Sequence, residues 1–499
     1  MENLQLLMSG FSVLFTFENI LLSCLGSFLG IIVGAMPGIG SCAGVALLLP
    51  MTFGMRPTGA IVLLCSLYMA CMFGGSYSAI LLNIPGDSPA IMTTMDGYPL
   101  AQQKKAAKAL LTANTSSFFG GLIGMLILTY TASGLAKFGL RFGSAEMTVL
   151  LLVAMTSITW LIGENPTKGL IATLIGVLLT CIGSDVINAS NRLTFGSIYL
   201  MGGIEFTPLV IGAVGFSQII SLVTEKDGDI VSDEKLSMRQ AFFTLHEWKR
   251  ILPPILRSGF IGTFIGVLPG AGPTTASFTA YTLQKKAFKN EVPPGQGAIE
   301  GLAACEAANN SACAGSFAPL LALGIPGSAT SAVLLGGLIM WGLTPGPLLF
   351  TNNADFAWGC IASLFFANLV ALFCGLLLVP LLSKVIQIPS KILVPSVTAI
   401  CMAGSYSATR SMYGVMIMVV AGIVAYLLVK NGYPLAPLLL GFVLAPLLEK
   451  YMRRGFATSA GHLSIFWEST ICKICLLVFF IIILSPIARR VIGIRKQKQ

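Results

Sequence analysis

Apolar residues in this chain come in blocks, and polar residues collect in short clusters between them. The runs Leu150 to Ile162, Gly169 to Cys181, Ile361 to Leu382, Met412 to Val429 and Ile474 to Leu484 approach or reach the roughly 20 residues that cross a bilayer as a helix. Blocks of this kind predict α-helices, and the lack of a period of two argues against a β-barrel. Four Pro-Gly pairs interrupt apolar sequence: Pro37-Gly38, Pro85-Gly86, Pro269-Gly270 and Pro326-Gly327. Proline removes a backbone donor and glycine loosens the chain, so such a break survives in hydrocarbon only where it faces protein or a watery cavity.

The breaks belong to a duplication. Gly30-Ile31-Ile32-Val33-Gly34-Ala35-Met36-Pro37-Gly38-Ile39-Gly40 returns as Gly262-Thr263-Phe264-Ile265-Gly266-Val267-Leu268-Pro269-Gly270-Ala271-Gly272, and Asn83-Ile84-Pro85-Gly86 returns as Gly324-Ile325-Pro326-Gly327. Met95-Asp96-Gly97-Tyr98-Pro99 lies opposite Met340 to Pro345, and Pro208 to Gly212 lies opposite Pro437 to Gly441, with order kept throughout. The expected organisation is a first transmembrane repeat over 1–224, a polar connector over 225–250, a second repeat over 251–450, and a C-terminal helix with a basic tail over 451–499. Paired broken helices in two halves point to the binding site of a transporter.

Composition fixes the class. With 55% hydrophobic and 10% charged residues and a mean hydropathy of +0.85, the chain is predicted to be an all-α polytopic membrane protein. The net charge of +10 does not indicate nucleic acid, because the cations cluster between apolar blocks, as in Lys104, Lys105, Lys108 and Lys285, Lys286, Lys289. That is the pattern of cytoplasmic loops. Cationic loops of one half correspond to nearly uncharged loops of the other, which favours two inverted structural repeats. Lys450, Arg453 and Arg454 do not fit a simple alternating path.

Ile251 to Tyr281 is flanked by basic clusters and carries Pro269-Gly270 in its middle. Two arms of about 15 residues rise about 22 Å each, too short for two spans of a ~30 Å core. The shape expected is a re-entrant helical hairpin, and Ile20 to Phe53 is expected to form its counterpart from the other face. Met1 to Phe15 has no basic n-region and no cleavage site, so the first helix is expected to act as its own insertion signal.

At a hairpin tip the second arm begins with unpaired N–H groups that attract anions. Small hydroxyl residues follow each break, and glycine admits close approach. The substrate-site candidates are therefore Pro37, Gly38, Gly40 and Ser41; Asn83, Pro85 and Gly86; Pro269, Gly270, Gly272, Thr274 and Thr275; and Asn310, Pro326, Gly327 and Ser328. The competing reading is that small residues serve tight helix packing. Glu306, Asn309 and Asn310 share one helix face. A carboxylate costs about 2.5–3.5 kcal/mol at the bilayer centre on insertion scales, so Glu306 either clamps the hairpin or couples transport to an ion, with Asn309 beside it. Asp87 is expected to cap the arm after the break.

Gly34 to Gly40, Leu81 to Gly86 running into Asp96-Gly97-Tyr98-Pro99-Leu100, Glu306 to Asn310 and Leu323 to Ser328 resemble the large membrane subunit of tripartite tricarboxylate transporters. The resemblance covers nearly the whole chain. It implies a multi-pass protein of the bacterial inner membrane, working with a small four-helix membrane subunit and a periplasmic solute-binding protein. It also implies import of organic carboxylates such as citrate on an ion gradient, with a sodium ion or proton as coupling ion and no other cofactor. Elevator-like movement is the expected mechanism, by analogy with other hairpin transporters. Gly272-Pro273 and the 12 cysteines depart from the family's pattern.

No G-x-x-x-x-G-K-[ST] loop for ATP is present. The alternatives are an anion channel or a carboxylate exchanger without binding-protein delivery; the neutral motifs resemble no charged ring or selectivity filter. An enzyme is not expected, because His246 and His462 lie beside no repeated motif. Cys472-Lys473-Ile474-Cys475 has the C-x-x-C spacing, but its apolar setting and lack of a second pair argue against a metal or redox role.

Overall fold

The computed structural model describes residues 2–36, 39–161, 166–185, 188, 190–224, 242–287, 291–377 and 390–496. Apart from a short antiparallel pairing of Gly183–Ser184 with Asn191–Arg192, the regular structure described is helical. In chain order the helices are α1 (Glu2–Leu14), α2 (Phe17–Ala35), α3 (Gly40–Leu48), α4 (Pro57–Leu82), α5 (Ile91–Gln102), α6 (Ala106–Gly139), α7 (Ser144–Leu161) and α8 (Pro166–Thr180). Next come α9 (Ile198–Met201), α10 (Phe206–Val210), α11 (Ser217–Thr224), α12 (Leu245–Val267), α13 (Gly272–Ala287), α14 (Ile299–Gly315), α15 (Phe317–Leu323) and α16 (Ala329–Met340). The last are α17 (Leu349–Asn352), α18 (Ala354–Leu377), α19 (Ser390–Thr409), α20 (Met412–Lys430), α21 (Leu435–Thr458), α22 (Ile465–Glu468) and α23 (Thr470–Lys496). A π-helical stretch, Ile211–Phe216, joins α10 to α11.

Among the described residues, 7 helical segments are long and apolar enough to cross a membrane: α2, α4, α6, the continuous Phe206–Thr224 segment, α18, α20 and α21. The chain is a multi-pass membrane protein. Of these segments α4 is the most enclosed, and Tyr68, Phe73 and Tyr77 on it are fully buried.

The breaks stop helices as their chemistry requires. Helix α2 ends at Ala35 and α3 restarts at Gly40, whose φ is +65°. Helix α12 ends at Val267 and α13 restarts at Gly272, whose φ is +59°. An L side chain is strained in that region, which is why glycine holds both positions. In each case the two helices fold back on one another. Asn83 (φ 59°) ends α4 and Gly324 (φ 70°) ends α15, both left-handed, as helix C-caps of this type prefer. Thr244 and Glu247 form a capping box that starts α12 at Leu245. Leu245 to Arg250, expected in the connector, thus continue into the helix that carries Ile251; residues 225–241 of that connector lie outside the described residues.

Lipid offers no hydrophobic force between helices, so close van der Waals packing carries the assembly. Glycines at four-residue spacing supply it. A Cβ on Gly26, Gly30 or Gly34 of α2 would lie 2.3–2.4 Å from the carbonyl oxygens of Leu63, Leu67 and Cys71 on α4. On α12, Gly262 and Gly266 press equally hard on the carbonyls of Ala308 and Ala312 of α14. Elements bearing corresponding motifs exchange partners: α6 lies on α14 while α18 lies on α4, and α3 meets α16 while α13 meets the turn Ser88–Ala90. The Cys472 to Cys475 stretch packs beside Ala145 and Val149 of α7.

Candidate substrate and ion site

The starts of α3 and α13 and both second breaks converge on one place. In the first half, a Cβ on Gly86 would stand 2.0 Å from the Gly34 carbonyl oxygen; in the second, one on Gly327 would stand 2.6 Å from that of Gly266. Each break is seated on its own hairpin at the same motif position. Asp87 is next to Gly86, and its carboxylate accepts from the Ser41 backbone N–H at 2.8 Å, the Ser41 hydroxyl at 2.6 Å and the Ser88 N–H at 2.7 Å. It caps the turn after it, as expected, and also reaches across the break to cap α3. Ser328, at the place of Asp87, forms a capping box with Ser331 at the start of α16.

The halves touch through hydroxyls. The Ser41 and Thr330 oxygens are 2.9 Å apart, as are the Tyr68 and Ser328 oxygens. The Ser277 hydroxyl of α13 donates to the Pro89 carbonyl at 3.0 Å. Because Ser41 spends its proton on Asp87, Thr330 donates to Ser41, giving a chain Thr330 to Ser41 to Asp87. First-turn donors of α3 and α16, expected to be open to an anion, are thus engaged by Asp87, Ser328 and Ser331. Pro273, at the start of α13, has no N–H to offer.

Gly40, Ser41, Gly86, Gly272, Gly327 and Ser328 gather at this junction, Gly270 and Pro326 are buried, the Ser157 hydroxyl donates to the Pro269 carbonyl at 3.0 Å, and Pro85 is half-buried. Thr275 is half-buried, whereas Thr274 and Asn83 are exposed. Pro37 and Gly38 lie outside the described residues.

Glu306, Asn309 and Asn310 form a second, buried cluster on α14, contacted by α4, α5 and α6. The Glu306 carboxylate accepts from the Thr93 hydroxyl and, at 2.8 Å, from the Ser117 hydroxyl. The Asn310 amide donates to the Glu306 carbonyl at 3.2 Å, and that of Asn309 to the Met72 carbonyl at 3.4 Å. Thr93 lies in the first turn of α5, seven residues beyond Gly86, so α5 connects the two clusters. Sequence reasoning missed Tyr68, Thr93 and Ser117. The burial of polar residues in apolar helices was a signal for them, but no spacing singled them out.

An ionic platform closes one end. The buried Asp96 accepts from the N–H groups of Gly295, Gly297 and Ala298 at 2.8, 3.0 and 2.8 Å, fixing the approach to α14. Arg250 holds Glu300 through two bonds, at 2.8 and 3.1 Å, and Glu291 at 2.7 Å, while Lys108 holds Glu247 at 2.8 Å. Partial burial raises the Glu247 carboxyl, but the Lys108 and Thr244 hydrogen bonds and the Lys108 charge outweigh it, leaving its pKa below the ordinary value.

Residues 20–440 match the model of the Tripartite tricarboxylate transporter TctA family. The chain belongs to that family. A curated protein of Agrobacterium vitis, "Uncharacterized 52.8 kDa protein in TAR-I ttuC' 3'region", is 36% identical over 479 residues, covering 96% of this chain and 95% of the relative. "Uncharacterized protein in TAR-II ttuC' 3'region", from the same organism, is 41% identical over 231 residues, covering 46% of this chain and 96% of the relative. No solved structure matches. The TctA family is that of the large membrane subunit of the tripartite transporter, so the chain is a transporter component, and the junction of its breaks is the candidate site.

Proposed function

We propose that the protein imports organic carboxylates, such as tricarboxylates, across the bacterial inner membrane by ion-coupled secondary transport. A periplasmic solute-binding protein delivers the substrate, and a small four-helix membrane subunit completes the membrane unit. The observation that carries this reading is the meeting of the starts of α3 and α13 with the two second breaks, Gly40 against Asp87, Gly272 against Ser328 and Ser41 against Thr330. A carboxylate there would draw on the exposed Thr274 hydroxyl and, by displacing their present bonds to Ser331 and Ser41, on the hydroxyls of Ser328 and Thr330.

An anion entering this junction meets the Asp87 carboxylate, so a cation must accompany it if the site is not to hold two unneutralised charges in a poorly hydrated place. Glu306, the buried carboxylate beyond α5, is the coupling residue with Asn309. The reciprocal packing of corresponding elements supports two inverted repeats built around re-entrant hairpins, and an elevator-like displacement of the hairpin-bearing part would expose the site to each side in turn. The test is uptake of labelled citrate and smaller dicarboxylates into vesicles containing all three subunits, with sodium and pH gradients imposed separately. Accumulation driven by one gradient is the expected result. Uptake that ignores both gradients, or needs no binding protein, would replace this reading with an exchanger or channel.

A further inference from the structure

We propose that Glu306, Thr93, Ser117, Asn309 and Asn310 form a binding site for a dehydrated sodium ion. The proposal rests on the ion-coupled reading above and names the ion and its ligands. Glu306 and Asn310 have no exposed surface, and Asn309 is 3% exposed. Among the described residues, no lysine, arginine or histidine pairs with Glu306. A carboxylate is therefore held in the core by neutral groups alone, and buried charges are otherwise paired or bound to a metal.

Two further buried oxygens lie on the same helix face. The side-chain oxygens of Asn309 and Asn310 are buried and accept no hydrogen bond. Their orientation is set, because each amide nitrogen donates to a backbone carbonyl. The Asn310 side chain folds back onto the turn of Glu306, and the Asn309 amide N–H also donates toward the Glu306 carboxylate, with its oxygen on the other branch of the same amide. Thr93 and Ser117 contribute hydroxyl oxygens whose lone pairs stay available while their protons go to Glu306.

Carboxylate, amide and hydroxyl oxygens make a donor set for a hard cation. With one negative charge, a monovalent ion leaves the enclosed site neutral, whereas a divalent ion would leave a buried surplus. A proton would satisfy one acceptor and leave the other amide oxygen orphaned. The site is also rigidly framed: a Cβ on Gly120 of α6 would lie 2.2 Å from the Ala307 carbonyl, so α6 cannot withdraw Ser117 without breaking its packing on α14. Thr93 ties the ion to the first break through α5, and so to Asp87 and the substrate junction.

The test is equilibrium binding of radiolabelled sodium to the purified chain in detergent, with no substrate or partner present. Saturable binding of one ion per chain is expected. Glu306→Gln should abolish it, and Thr93→Val and Ser117→Ala should each weaken it about tenfold, by the loss of one contact to a charged group. Ser396→Ala, whose exposed hydroxyl is bonded only to the Ile392 carbonyl of its own helix, should bind as the parent does. The graded Thr93 and Ser117 variants keep the test decisive if Glu306→Gln fails to fold. Wild-type protein that is monodisperse but binds no sodium, or a folded Glu306→Gln variant that still binds it, would overturn the proposal. Uptake on a pH gradient in such a protein would leave carboxylate transport standing, while intact sodium binding without any carboxylate uptake would uphold this site and remove that reading.

Discussion

Gly86→Ala is the sharpest probe of how the first break is seated. The added methyl would lie 2.0 Å from the Gly34 carbonyl oxygen and 2.9 Å from both the Gly75 Cα and the Ser78 hydroxyl. An ordinary carbon contact needs about 3.5 Å or more. Two of the three obstructing atoms are backbone in closely packed helices, so no rotamer change relieves the clash. Overpacking of this kind costs about 1–3 kcal/mol, and the backbone contact places Gly86→Ala at the upper end, about 3 kcal/mol. If the break yields instead, Gly86 moves off α2 and carries Asp87 away from Ser41. Gly327→Ala meets its carbonyl at 2.6 Å and should cost less, whereas Gly54→Ala meets nothing within 4 Å and should be neutral. The assay is the heat-denaturation midpoint of purified protein in one detergent, with citrate uptake per inserted molecule as the second readout. The expected order of loss in both is Gly86→Ala, then Gly327→Ala, then Gly54→Ala level with the parent. A Gly86→Ala protein with the parental midpoint and uptake would refute the seating of the break on Gly34.

Asp96→Asn keeps the shape but removes the charge that three backbone N–H groups address, so it should destabilise by about 2 kcal/mol and speed proteolysis of the 291–298 loop; unchanged cleavage would count against the anchor. Ser41→Ala and Thr330→Val, alone and together, should show a coupling energy of about 0.5–1.5 kcal/mol in a double-mutant cycle on the heat midpoint, and strict additivity would mean that the halves do not meet there. The Glu247 pKa is lowered in the fold, so its stabilisation is complete above the unfolded-state value and is lost as pH falls through the folded one. Lys108→Met should therefore lose about 1 kcal/mol or less at about pH 7 and match the parent near pH 3; a deficit that persists in acid would contradict the pairing.

The helical class and the places where helices stop were legible because each arises from local chemistry: apolar blocks, Pro-Gly pairs, and Asn83 or Gly324 at a left-handed cap. The buried face of Glu306, Asn309 and Asn310 was legible from helical spacing. Thr93 and Ser117 were not, because their importance depends on which helix lies opposite Glu306, and that is set by Gly120 and Gly124 pressing on the backbone of α14. The role of Asp87 was half legible. A carboxylate after a break reads as a cap for the next turn, but its second partner, Ser41, lies 46 residues away in sequence and is brought near only by the seating of Gly86 on Gly34. The stretch before Ile251 read as a connector with an interfacial helix, and the Thr244 and Glu247 capping box starts α12 within it.

The two halves repeat the geometry of the breaks but not their charge. The spacing that aligns Gly327 with Gly86 sets Ser328 at the place of Asp87, Glu306 at the place of Cys65 and Asn309 at the place of Tyr68. The contacts show the same exchange: Glu306 of α14 meets Ser117 of α6, and Cys65 of α4 meets Cys360 of α18 with the sulfurs 3.4 Å apart. Each half has therefore kept a carboxylate where the other has a neutral residue. One sits on the first break and the other behind the next helix, so both carboxylates flank the same element, α5 with its preceding turn. The second break faces them with hydroxyls and capped helix starts only. A symmetric pair of sites would bind two like ligands; under the proposed function this distribution would set the cation on the carboxylate side and the anion on the other. Charge, rather than backbone shape, is thus what distinguishes the halves, and the duplicated breaks by themselves would not say which ligand goes where.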